Sequence, residues 1–169
     1  MKPIPRGQAE WKRQKPDETP AALELERFLP YRLSVLSNRI SGAIAGEYSQ
    51  RFALGVTEWR VMAVLARFDG MSAREVAERT AMDKVAVSRA LASLVESGRV
   101  TRAVHGEDKR RSVLNLTEAG WQLHDQIAPM ARAREREVLA RLDGEERAWL
   151  TRILDKLLDG ERETGNRER

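Results

Sequence analysis

Between Ser72 and Thr117 the chain reads SAREVAERTAMDKVAVSRALASLVESGRVTRAVHGEDKRRSVLNLT, and its order of caps, breaks and charges permits few folds. Ser72 followed by Glu75 is a capping-box pattern, so a short helix opens at Ala73 and runs to Arg79. Thr80-Ala81-Met82 makes a turn. Asp83 then caps a second helix, Lys84–Ser97, which Gly98 is placed to end in a left-handed conformation. Val100–Val104 and Arg111–Leu116 read as strands, joined by a turn in which Gly106 and Asp108 carry the local turn preference. Two short helices followed by a cationic hairpin describe a helix-turn-helix with a β-wing. Such a unit sets one helix in the DNA major groove and a basic loop beside it, so the implied partner is double-stranded DNA.

At about 100° per residue, Val87, Ala90, Leu91, Leu94 and Val95 fall on one side of the second helix, which must pack inward. Arg89 falls nearly opposite, flanked by Val85, Ala86 and Ser93, with Ser88 and Lys84 at the margin. One long bidentate donor among small side chains suits a groove floor: Arg pairs with guanine O6 and N7, and small apolar groups meet thymine methyls. Ser88 and Lys84 would reach phosphates or base edges. The competing reading is an ordinary solvated arginine. In the wing, Asp108 stands two residues before Arg110, beside Lys109 and Arg111. The carboxylate can hold the guanidinium by a charge-assisted bond and so prepare it for a narrow, electronegative minor groove. Otherwise the two form a plain surface ion pair worth about 0–1 kcal/mol. Ser72 can donate to a phosphate at the helix N-terminus, although its capping role accounts for it equally well.

The remaining chain divides around this unit. Residues 1–19, with Pro3, Pro5 and Pro16 among many charges, read as a flexible arm. Residues 20–160 read as a single domain, with 57–117 as the winged unit and residues 161–169 as a flexible polar tail. Thr19-Pro20 opens a helical pattern running to about Tyr48, with Leu25, Leu29, Leu33, Leu36, Ile40 and Ile44 in register. Pro30 inside it either kinks this helix or opens a second one. Thr57 is expected to cap a helix over Glu58–Phe68. Thr117 restarts the chain as a helix to about Leu142 with a kink at Pro129, and Asp143 with Glu146 opens the last helix. The apolar stripes at the two ends, including Leu25, Leu29, Leu150, Ile153, Leu154 and Leu157, suit a helical dimer interface over 20–50 and 118–160; folding back into one bundle core is the alternative.

Composition narrows the function classes. The 169 residues are 41% hydrophobic and 33% charged, enough for one core carrying helices with solvated faces. The net charge of +4 gathers around Arg99, Arg102, Lys109, Arg110 and Arg111, as a phosphate-facing patch would. The absence of cysteine rules out disulfides, thiolate metal sites and thiol-based oxidant sensing. His105 and His124 lack metal-ligand spacing, Glu145-Glu146 reads as favourable charge at a helix start, and there is no glycine-rich phosphate loop. Neither an enzyme nor a cofactor is expected. No apolar run nears the ~18 residues of a membrane span, and the first residues lack the core of a signal peptide, so a cytoplasmic location is expected. The expected fold is mainly α with a small β-wing: a winged helix-turn-helix domain with N- and C-terminal dimerisation helices.

T-E-W-R-V-M-A-V-L, S-x-x-E-V-A-E-R, D-K-x-x-V-S-R-A-L-x-x-L-x-x-x-G and D-K-R-R-S-V-L-x-L-T-E-A-G together resemble the MarR (multiple antibiotic resistance regulator) family of bacterial transcription factors. The resemblance spans roughly Leu23 to Leu158. It implies a homodimer built from the first and last two helices, with Arg110 in the minor groove and the helix bearing Ser88 and Arg89 in the major groove. It also implies repression relieved by a small, often aromatic, effector; the family's cysteine-based branch is excluded. Tyr31, Arg32, Ser34 and Asn38, with Trp59 from the next helix, are candidates for an effector site suited to an aromatic carboxylate or its coenzyme A thioester. The same residues also fit a dimer contact or a plain helix surface. Two other readings stand beside this one: an architectural DNA-binding protein without an effector, and a winged-helix protein-interaction module.

Overall fold

The computed structural model describes residues 23–104 and 112–167. The arm expected over 1–19, the Thr19-Pro20 cap and the wing turn from His105 to Arg111 lie outside the described residues. Six helices and one hairpin follow in the order α1 (Leu29–Phe52), α2 (Val56–Arg67), α3 (Ala73–Thr80), α4 (Lys84–Glu96), β1 (Val100–Val104), β2 (Ser112–Leu116), α5 (Glu118–Leu139) and α6 (Gly144–Arg167) among the described residues. The fold is therefore mainly helical with a small β-wing, as the sequence pattern implies.

The chain separates into a unit ending at Leu36 and a unit from Ser37 onward, the division falling within α1. In the first, Leu23–Phe28 precede the helix, and the Phe28 amide donates to the Glu24 carbonyl at 3.0 Å. Leu25 thus lies in a turn, not in the helix expected for it. The reason is Pro30. Deep inside a longer helix it would lose a backbone bond and clash with the preceding turn, whereas at the second position of α1 its missing N–H belongs to the unsatisfied first turn anyway. Pro30 therefore opens α1. Leu23, Leu25, Leu29, Leu33 and Leu36 are all exposed.

In the second unit, Leu54, Val61, Met62, Leu65, Val76, Val87, Leu91, Leu94, Leu114 and Ile127 are almost wholly buried. They lie where α2 packs against α3, α4, β2 and α5. Local chemistry sets each boundary. Ala53 turns the chain off α1 at φ 47°, and the N-cap of α2 is Gly55, not Thr57. Glu58 accepts the Gly55 amide at 2.6 Å, which fixes the helix start two residues earlier than expected. Ser72 and Glu75 form both bonds of their capping box, at 3.3 and 2.7 Å. The Asp83 carboxylate accepts from the Val85 and Ala86 amides, each at 3.0 Å.

Gly98 adopts φ 68° and α4 closes with the Arg99 amide donating to the Leu94 carbonyl at 2.9 Å, the bond pattern of a Schellman cap. The hairpin is antiparallel, in register from Val100↔Leu116 to Val104↔Ser112. Asp143 and Glu146 cap α6 reciprocally at 2.8 and 2.9 Å. Pro129 lies inside α5, which continues to Leu139. The polar tail expected from residue 161 is helical as far as Arg167. Glu and Arg are good helix formers, and Gly160 and Gly165 each cost only about 1 kcal/mol.

At Gly120 the start of α5 passes against the backbone beyond α4: a Cβ there would lie 2.2 Å from the Arg99 carbonyl oxygen, which cannot move aside without displacing the chain. Gly120→Ala should lower unfolding free energy by roughly 2 kcal/mol or more in urea titrations. Gly144→Ala, where a Cβ meets nothing within 4 Å, should be neutral or mildly stabilising. Equal stabilities for the two variants would refute this account of the α4–α5 junction.

Candidate nucleic-acid interface

The faces of α4 are set by what it buries. Val87, Ala90, Leu91 and Leu94 are sealed against the core, while Lys84, Val85, Ser88, Arg89, Ala92 and Glu96 are exposed. Val95, expected inward, sits at the rim and is 37% exposed. Arg89 is exposed and has no ion-pair partner among the described residues. Charge is graded along the helix, with Lys84 and Arg89 in its first half and Glu96 at its end. That gradient makes the first half of the helix the more favourable end for a polyanion and the last turn the less favourable one.

Ser93, expected among the base readers, is exposed, but its hydroxyl donates to the Glu58 carboxylate. The other oxygen of Glu58 holds the Gly55 amide, so this pair ties α4 to the start of α2. Ser72 is half-buried and its Oγ accepts the Glu75 amide. The cap uses a lone pair and leaves the hydroxyl proton, so capping and phosphate donation are compatible.

Asp108, Lys109, Arg110 and Arg111 lie outside the described residues. Their place in the chain is bracketed by the Val104↔Ser112 pair that ends the ladder, and Arg102 is exposed on β1. Arg99 does not share the phosphate-facing character expected of the basic cluster. It turns inward, donating from Nη2 to the Phe52 carbonyl at 2.6 Å.

A second constellation joins α1, α2 and α5. Trp59 of α2 stacks on His124 of α5 at 5.6 Å and 26°, and Trp121 meets the same imidazole edge-on at 5.7 Å. Tyr48 of α1 packs on Trp59 at 6.1 Å. The Tyr48 hydroxyl is buried without a hydrogen-bond partner among the described residues. Burial raises its pKa above the ordinary phenol value, with Arg60 opposing that shift and Glu58 adding to it. Arg60, half-buried, donates from Nη2 to Ser41 Oγ at 2.9 Å and Ser37 Oγ at 3.4 Å. No carboxylate lies within ion-pair distance of it among the described residues.

Of the residues expected at an effector site, Trp59 belongs to this constellation. Asn38 is exposed on α1, and Tyr31, Arg32 and Ser34 are exposed in the N-terminal unit. Arg60, Tyr48, His124 and Trp121 were not foreseen. The signal for Arg60 was its position between Trp59 and Val61 on a helix whose neighbours are buried. The described residues contain no cluster of three or more metal-ligating side chains, and no described helix is long and apolar enough to cross a membrane.

A capped helix pair presenting a cationic face, followed by an antiparallel hairpin, defines a winged helix-turn-helix protein of the DNA-binding class. A model of the MarR family matches residues 54–111. The chain is 30% identical to a MarR/EmrR family transcriptional regulator from Acinetobacter sp. ADP1 over 83% of its own length and 99% of that structure, with a TM-score of 0.75. It belongs to the MarR family of transcriptional regulators. It is 31% identical to the HTH-type transcriptional regulator BilQ of Clostridium symbiosum over 88 residues, 52% of this chain and 61% of BilQ. The PcaV regulator from Streptomyces coelicolor, solved in complex with its natural ligand, shares the fold at 20% identity and a TM-score of 0.68 over 82% of this chain and 97% of that one.

Arg89→Ala should weaken binding to a selected duplex by about 1–3 kcal/mol and relax preference at one base position per half-site. Lys84→Ala should weaken all sequences alike and lower the salt slope by about 1. Competition titrations at two salt concentrations measure both, and an Arg89→Ala variant with full affinity and unchanged preference would contradict the orientation given to α4.

Proposed function

We propose that this chain is a dimeric repressor that binds a pseudo-palindromic operator and leaves it when a small aromatic acid, or its coenzyme A thioester, binds. The observation that carries the reading is the outward face of α4, a single arginine among small side chains on a helix whose opposite face is locked in the core. Arg89, with Ser88, Lys84 and Val85, enters the major groove, and Arg110 of the wing, held by Asp108, takes the minor groove. Lys109 and Arg111 meet phosphates. An organism's DNA being the partner, the protein works in the cytoplasm, and neither catalysis nor a cofactor enters this reading.

Dimerisation is supported by what a single chain leaves uncovered. Leu25, Leu29, Leu150, Ile153, Leu154 and Leu157 are between 37% and 50% exposed. The apolar residues of α6 recur at helical spacing, and one face of them is available to a second copy. A single module buries only ~600–1,000 Å² of protein surface on DNA, so two joined modules are the usual route to specific affinity. Their α4 helices would stand about 34 Å apart, one duplex turn.

The effector reading is supported by Arg60, which is held by two serine hydroxyls and beside which Trp59 opens onto His124 and Tyr48. A half-buried guanidinium answered by neutral hydroxyls has capacity for an incoming carboxylate. Flat aromatic side chains nearby suit a ring. A protein of the same fold, PcaV, has been seen with its natural ligand bound.

Leu154→Asp should yield monomers by light scattering and lose specific binding in the same titration; a monomer that still bound full sites tightly would remove the dimer. Thermal shift and DNA-release assays across phenolic acids and their coenzyme A thioesters should find at least one compound that stabilises the protein and frees the duplex, with Arg60→Ala blunting both effects. Silence across the panel would overturn the effector, and equal affinity for random duplex would favour an architectural role.

A further inference from the structure

Arg99 lies where the recognition helix ends and the wing begins, and it bonds to three elements at once. Its amide closes α4 on the Leu94 carbonyl at 2.9 Å. Its guanidinium reaches across 47 residues of sequence to the end of α1, donating to the Phe52 carbonyl at 2.6 Å and the Ala53 carbonyl at 3.5 Å. Its carbonyl accepts the Thr117 amide at 3.1 Å, just before α5. Thr117 completes the junction: its hydroxyl donates to the Gly98 carbonyl at 2.7 Å and accepts the Gly120 amide at 3.0 Å. Gly120 itself comes so close that a Cβ would lie 2.2 Å from the Arg99 carbonyl oxygen.

The carbonyls that Arg99 takes are among those a helix end leaves without intrahelical partners, and they carry the negative end of the α1 dipole. A guanidinium suits them because it offers several donors in one rigid plane. Ala53, at φ 47°, is where the chain turns out of α1. A charged side chain at this corner is not needed to fill the core, since Arg99 is only half-buried and Leu54 and Val100 on either side of the contact are buried already. Its distinctive effect is to tie α4 and β1 to the end of α1, since the bonds to Leu94 and Thr117 are made by the backbone and are kept by any residue but proline.

We infer that Arg99 is a positioning residue for DNA recognition: it holds the reading head at a fixed angle to the end of α1, and so sets the half-site spacing that a dimer accepts. It touches no DNA and acts through α4 and the wing. The inference rests on the dimeric reading given above, and the test separates the two.

A duplex selected from a random library by the wild-type protein would be compared with the same duplex lengthened by one or two base pairs at its centre, and with a duplex carrying one half-site. Each added pair rotates one half-site by about 34° and shifts it by about 3.4 Å, so a rigid dimer should bind the lengthened duplexes at least about tenfold more weakly. Arg99→Ala should cut that penalty to about threefold or less while changing single half-site affinity by less than about twofold. Arg99→Lys, which keeps one charged donor, should restore part of the discrimination. Should Arg99→Ala fail to fold, Arg99→Gln, too short to reach both carbonyls, serves in its place.

An unchanged penalty in the folded variant would overturn the inference. So would a uniform loss across all three duplexes, which would make Arg99 a phosphate contact or a general stabiliser. A wild-type protein indifferent to spacing would remove the dimeric reading and this inference with it.

Discussion

The burial of Leu91 and Leu94 decides which face of α4 is left outward, and the proposed DNA reading depends on that face. Both are fully enclosed, with Val87 on the same face, where α4 meets α2 and α3. Burying a leucine is worth roughly 1.5–3 kcal/mol, so rotating α4 to present another face would cost several such terms at once. With that face fixed, Arg89, Val85 and Lys84 are left outward without any further interaction to place them. The outward face of α4 is thus a consequence of core packing, and the Ser93–Glu58 bond adds a polar tie at one edge of it.

Around this helix the structure repeats one device, in which a side chain satisfies backbone groups at the end of an element. Asp83 starts α4, Ser72 and Glu75 start α3, Thr117 starts α5, and Asp143 with Glu146 starts α6. A cap of this kind is worth about 1 kcal/mol. Together they sharpen the helix boundaries, most of all for the short α3 and α4, which propensity alone would leave frayed. The junction at Gly98, Arg99 and Gly120 is denser, because the ends of α1 and α4 and the starts of β1 and α5 all meet there. A displacement of α5 or the end of α1 has a short, bonded route to the recognition helix.

Much of this was legible in the sequence because it is local. The Ser72, Asp83, Gly98, Thr117 and Asp143 signals act within four residues, and the apolar spacing in α4 identified its buried side apart from Val95 at the rim. What escaped was long-range or competitive. Thr57 looked like a cap, but Gly55 with Glu58 won, because the chain leaves α1 through Ala53 and is still extended at Gly55. Leu25 falls outside α1 because, of the two roles the sequence leaves to Pro30, it takes the one that opens a helix. Arg99 joined the basic cluster in the sequence, since no local pattern records that the end of α1, 46 and 47 residues earlier, passes beside it. Arg60 was missed for the same reason: its serine partners lie 19 and 23 residues away on α1.

In the proposed dimer the N-terminal half of each α4 lies in the major groove, the two helices one turn of duplex apart. Methylation interference on a duplex selected by the protein tests it most directly, because guanine N7 lies in the major groove and adenine N3 in the minor. The account predicts two clusters of guanine N7 interference about one turn of duplex apart, each weakened in the Arg89→Ala variant. Interference confined to adenine N3, or an N7 pattern that Arg89→Ala leaves untouched, would contradict it.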